Sequence, residues 1–136
     1  MLNQILNDNS IEGYLKTHIM ISPDSFRELA LSFEDVVETP NANKNSFKVD
    51  DKIFITIDNS NLKAVFRLSP KDQNKFSDLD PSAIYPAQAG WGKQGWTIFE
   101  LSFIENEVLN DAVRLSYCAV APEDLAKKYK KKAVKK

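Results

Sequence analysis

Histidine and cysteine are nearly absent from the 136 residues: His18 and Cys118 are the single examples of each. One cysteine excludes an internal disulfide and fits a reducing compartment. One histidine, near the start of the chain, leaves the rest without a partner for a Ser-His-acid triad or a Cys-His pair. Glycine is scarce as well, with four residues, and no phosphate-cradling glycine loop opens a helix. No apolar run approaches the ~18 residues of a membrane span, and no basic and apolar leader precedes a cleavage site, so the expected location is the cytoplasm, with no membrane partner. The expectation is a protein that is not an enzyme and uses no cofactor or metal. Glu34, Asp35 and Glu38 read as a solvated turn, because no His or Cys lies near and the spacing fits no calcium loop.

What the chain does have is the composition of one ordinary globular domain, 43% hydrophobic and 27% charged. Its net charge of -1 conceals an asymmetry. Seven lysines lie in the last ten residues, from Lys127 and Lys128 to Lys136, leaving 11 basic against 19 acidic groups in the other 126. An acidic body with a basic end excludes a uniformly basic surface but allows a local basic patch.

Residues 1–19 read as an N-terminal extension, in which Ile11, Tyr14 and Leu15 have the spacing of a short helix, and Met20 as an alternative start. The domain is expected over residues 20–126, and residues 127–136 as a lysine-rich tail that frays because its apolar positions run out. Ser22-Pro23-Asp24 begins a helix over 23–32: a serine cap, a proline where no N–H is needed, and an acid at the positive end of the dipole. Ser69-Pro70 repeats the signal for a helix over 70–78.

Between these helices lies a meander: Val36–Thr39 ending at Pro40, a polar connection over Asn41–Asn45, Ser46–Val49, a tight turn at Asp50-Asp51, Lys52–Ile57, and Leu62–Leu68. In the last of these strands Lys63 and Arg67 share one face with Val65 between them, opposite Ala64, Phe66 and Leu68. Ala83–Pro86 can be only a short or edge strand because its prolines cannot donate to a ladder. Trp96–Leu101 is a strand with Thr97, Phe99 and Leu101 on one face. A third helix, capped by Ser102 or Asn106, carries Cys118 as a packing thiol and an apolar stripe from Val108 to Val120 that includes Ala119. A last helical segment follows Pro122. The fold class is α+β, an antiparallel sheet with helices on one face, in the order α-β(3-4)-α-β(1-2)-α.

Gly90-Trp91-Gly92-Lys93-Gln94-Gly95-Trp96-Thr97 concentrates three of the four glycines and both tryptophans. It reads as a rigid turn with Lys93 and Gln94 at its tip, whose tryptophans pin the sheet to the helices. On that reading Trp96→Ala costs ~3 kcal/mol.

This window, with Phe26–Leu31, Ser46–Val49, Asp51–Phe54, Arg67–Pro70 with Gln73, and Asp80-Pro81, resembles the MmcQ/YjbR family of small bacterial proteins, from about Met20 to about Leu125. The resemblance implies a fold similar to type III secretion chaperones and a DNA-binding role. The expected contacts are Lys48, Lys52, Lys63, Arg67, Lys93, Lys127 and Lys128, neutralising phosphates weakly and without sequence preference. The alternative is a chaperone-like module that docks a protein segment.

Overall fold

The computed structural model describes residues 22–134, so the readings for residues 1–19 and Met20 lie outside the described residues. Helix α1 (Pro23–Leu31) starts as its sequence dictates, with the Ser22 hydroxyl accepting from the Ser25 amide at 3.1 Å. Phe26 and Ala30, one turn apart, are its fully buried contacts.

Four strands then form a meander: β1 (Val36–Asn41), β2 (Lys44–Val49), β3 (Lys52–Asp58) and β4 (Lys63–Arg67). Pro40 does not end β1, because this strand lies at the sheet edge, where a missing donor is tolerated. The expected polar connection shrinks to two residues, Ala42 and Asn43, with Ala42 at φ 57°. Asp50 and Asp51 both take positive φ, 53° and 65°, as a two-residue hairpin turn requires. Helix α2 (Pro70–Leu79) is capped by Ser69 in the same way as α1.

Beyond it come β5 (Ile84–Pro86), a short helix α3 (Ala89–Lys93) and β6 (Trp96–Glu100). All pairings are antiparallel, and β6 inserts between β4 and β5 to give the order β1-β2-β3-β4-β6-β5. A 3-10 turn (Leu101–Phe103) leads into α4 (Asn106–Val120) and α5 (Glu123–Val134). Glu105 holds the cap position of α4 without a side-chain bond, so neither Ser102 nor Asn106 caps it. Ala119 is exposed and falls outside the apolar stripe. Helical backbone continues to Val134 where fraying was expected, and Tyr129 ties the first turns of α5 to Phe33 and Tyr117 at ring distances of 4.7 and 5.1 Å.

The core lies between the helices and one face of the sheet. Phe47, Ile55, Ile57, Ala64, Phe66, Ile84 and Phe99 point into it from the strands, and Phe26, Phe76, Leu109, Val113 and Tyr117 meet them from the helices. One irregularity shapes the β2–β3 hairpin. Phe47 faces Ile55 but Lys48 faces Ile53, so Phe54 is an extra residue in the ladder. Its ring packs edge-on to Tyr117 at 5.7 Å, and its carbonyl accepts from the buried Ser116 hydroxyl of α4 at 2.8 Å.

The glycine window is a helix and a turn rather than one rigid turn. Gly95 lies at φ 102°, and a Cβ there would come 2.1 Å from the Leu68 carbonyl. Gly92 is equally tight, since its Cβ would meet the Ala87 carbonyl at 2.3 Å. The tryptophans do not pin the sheet to the helices. Trp91 is 61% exposed on α3, and Trp96 is half-buried, its register partner Arg67 standing on the sheet face turned away from the core. Strand parity accounts for this: Thr97 and Phe99 are buried, so Trp96, Ile98 and Glu100 must point the other way.

Candidate nucleic-acid interface

The sheet face turned away from the core is built from three rows of cross-strand neighbours, two of them set throughout by the strand register. One end row runs Asn41, Lys44, Asp58, Lys63, Glu100. Charges alternate along it. The Lys44 charge adds to the hydrogen bonds from Asn61 and Ser60 that hold the Asp58 carboxyl below its usual range, the Asn61 side chain being the largest contributor. The middle row is Thr39, Ser46, Thr56, Val65, Ile98 and Tyr85, uncharged throughout. Tyr85 donates to Glu100, which raises its phenol pKa.

The third row differs in kind. Register aligns Val37, Lys48 and Ile53 on one side and Arg67 and Trp96 on the other, and a shared cleft brings the two halves together, with no carboxylate among these five. The Arg67 guanidinium lies 5.6 Å from the centre of the Trp96 ring, within cation–π range. Lys52 pairs with Val49 on the rim of the hairpin and lines a cleft of about 610 Å³ with Lys48, Ile53, Arg67 and Trp96, closed at its end by Ala119 and Val120 of α4. Asp51 is the acid of that cleft. Among the described residues none of Lys44, Lys48, Lys52, Lys63 or Arg67 makes an ion pair. Their charge is therefore available to a ligand, most strongly at the third row, where the cleft sets Lys48, Lys52 and Arg67 against the single carboxylate of Asp51.

A second cleft, of about 540 Å³, opens over the middle of the same face. Ile53, Thr56, Val65 and Ala87 line it, with Trp91 and Trp96 from the glycine window and Lys44. The window thus contributes its aromatic rings to the open face rather than to the core.

The structure gathers Lys48, Lys52 and Arg67 at one end of the sheet and Lys63 at the other, between Asp58 and Glu100. Lys93 is exposed on the last turn of α3. Lys127 and Lys128 belong to α5 on the helical side, and Lys128 is bonded to Glu34 at 2.7 Å. The two groups do not form one surface. Lys44 and Ile53 join the site without having been singled out, and Trp96 joins it where a structural pin was expected. Period-two alternation places Lys44 with Lys48 once β2 is extended to its true start, and the same alternation separates Trp96 from Thr97.

Cys118 is half-buried, its thiol 3.5 Å from the Ala126 carbonyl and pushed up in pKa, chiefly by burial. Among the described residues no cluster of three His, Cys, Asp or Glu is placed to hold a metal, and no helix is long and apolar enough to cross a membrane.

No family model and no curated protein matches the chain. Among solved structures it is similar to Deinococcus radiodurans protein DR2400, a DUF419 domain, with a TM-score of 0.67. The two share a fold. Sequence identity is 21%, over 83% of this chain and 88% of that one, so the likeness concerns architecture: a six-stranded antiparallel sheet with helices.

Proposed function

We propose that this is a DNA-binding protein of the MmcQ/YjbR type, holding phosphates weakly and without sequence preference on the face of its sheet turned away from the core. The carrying observation is the third row, where Lys48 and Arg67 stand beside Lys52 with no carboxylate in the row and no ion pair among the described residues. Lys44 and Lys63 add ammonium groups, unpaired among the described residues, to the same face, though in a row they share with Asp58 and Glu100, and the exposed Lys93 adds to the approach field. Among the described residues no long helix projects from this face to enter a major groove, which favours backbone contact over base reading.

Anisotropy of a labelled DNA at about 50 and 200 mM salt tests the reading. Affinity should fall steeply with salt, and a Lys48→Gln, Arg67→Gln variant should bind more weakly with a shallower salt slope. No binding by the full chain at the lower salt overturns it.

A second reading, a chaperone-like protein-interaction module, draws on a different surface. Leu79 is 61% and Phe103 71% exposed beside Ile84, Ile104 and Val108, an apolar hollow away from the basic row. Co-purification of one stoichiometric protein partner, lost on Phe103→Ser, would favour it.

A further inference from the structure

Phosphate contacts explain the cations of the open face but not its aromatic rings. Trp91, exposed on a five-residue helix, and Trp96, half-buried on β6, flank one cleft whose floor is Ile53, Thr56 and Val65. An exposed tryptophan above an apolar floor gains nothing from a duplex. There the bases are already stacked and paired, and their flat faces are closed to a side chain. The face is also too broad to enter a groove: six strands ~4.8 Å apart span roughly 24 Å, against ~12 Å for the major groove of B-DNA.

We infer that this cleft takes an unpaired base, and that the ligand of the open face is single-stranded DNA rather than a duplex. The inference rests on the DNA-binding reading above and names its substrate. Arg67 lies over the Trp96 ring and holds that ring in place, while Trp91 supplies the free aromatic surface for a base. The cleft, at about 540 Å³, is within the ~300–1,000 Å³ of sites that accept small ring systems. Lys44 borders the same cleft, and Lys48 and Arg67 lie in the row beyond Ile53. A strand with a base in the cleft therefore has cations within reach of its flanking phosphates. This combination of stacking platform and electrostatic groove is the means by which proteins hold single strands without reading sequence.

The test is a low-salt titration of the full chain with a thymidine oligomer, a duplex of equal length, an abasic deoxyribose-phosphate oligomer and a uridine oligomer, read by anisotropy and by tryptophan fluorescence. The thymidine oligomer should bind several-fold more tightly than the duplex and the abasic oligomer, at least as tightly as the uridine oligomer, and quench the tryptophans. Trp91→Ala should lose about tenfold in affinity for it, and Trp91→Phe should recover most of that loss. Trp91 is exposed, so these variants keep the fold, which circular dichroism checks.

Binding of the duplex or of the abasic oligomer as tight as that of the thymidine oligomer, or an unchanged affinity in Trp91→Ala, overturns the inference and leaves the phosphate-binding reading standing. A preference for the uridine oligomer overturns the assignment to DNA. Concentration-dependent dimerisation that Trp91→Ala abolishes overturns it in favour of a second copy of the chain. No binding of any nucleic acid removes both readings.

Discussion

The side-chain amide nitrogen of Gln73 lies 3.0 Å from the carbonyl oxygen of Gly92, and by donating to it fastens helix α2 to the glycine window. The same nitrogen reaches Thr97 Oγ1 at 3.0 Å and the Trp96 carbonyl at 3.3 Å. One amide thus fixes both ends of the segment that carries the two tryptophans. Gln73→Leu removes the donor and should cost about 1–3 kcal/mol in urea unfolding. Gln73→Glu should cost at least as much despite its shape, because an ionised carboxylate would face three acceptors. A Gln73→Glu protein as stable as the parent would refute this role.

Gly95 is the position in that segment least able to change. Its backbone is left-handed, and an added Cβ would press on the Leu68 carbonyl at 2.1 Å. Its own carbonyl accepts from the Leu68 amide at 2.9 Å, so moving away breaks the β4–β6 ladder. Gly95→Ala should lose roughly 2–4 kcal/mol, measured by denaturant midpoint. The exposed Gly90, with nothing within 4 Å of an added Cβ, should accept alanine with little change.

Three aromatic residues near one another in sequence should differ sharply in their contribution to stability. Trp91→Ala should stay within about 0.5 kcal/mol of the parent. Trp96→Ala, half-buried under Arg67, should lose about 1–2 kcal/mol, and the buried Phe99→Ala about 3–5 kcal/mol. A thermal melt of each variant checks the ranking. Equal losses for Trp96 and Phe99 would mean that the window is part of the core after all.

What was legible in the sequence is what depends on near neighbours. Ser22-Pro23 and Ser69-Pro70 mark helix starts because the cap bond spans three residues, and Asp50-Asp51 marks a hairpin because the turn's dihedrals are local. The face of Lys63 and Arg67 followed from alternation within one strand. Neighbours across strands were not legible. Whether Lys63 lies between carboxylates and Lys48 does not is decided by register, which no single strand encodes. The helix at Ala89–Lys93 was hidden because its glycines have poor helix propensity, and Gln73 holds its end from nineteen residues away.

Ser116 offers a direct test of the hairpin irregularity. It is fully buried, and its hydroxyl satisfies the Phe54 carbonyl beside the extra residue. Ser116→Ala leaves that oxygen with one bond fewer in a dry environment and should cost about 1–3 kcal/mol. Hydrogen exchange should show the loss concentrated in the β2–β3 hairpin.

Stability should also decline at high pH for an identifiable reason. Burial, assisted by the nearby Tyr129 and Glu34, pushes the Tyr117 phenol up to about 12 from an ordinary 10.0. The raised native value means that its contribution is complete below pH 10.0 and disappears as pH rises towards about 12. Stability should fall across that interval, with Tyr85 shifting in the same direction. Tyr117→Phe should flatten this alkaline decline while giving up the 2.7 Å bond to the Glu34 carbonyl. An equally steep decline in that variant would assign it to other groups.

The extra residue at Phe54 lets the chain put one more aromatic ring into its core than strict alternation allows. Inside the strand, Ile53 still faces outward beside Lys48, and Ile55 still faces inward opposite Phe47. The two surfaces of the sheet are consequently separable: the packing volume beneath α4 can change at Phe54 without altering which side chains reach the open face.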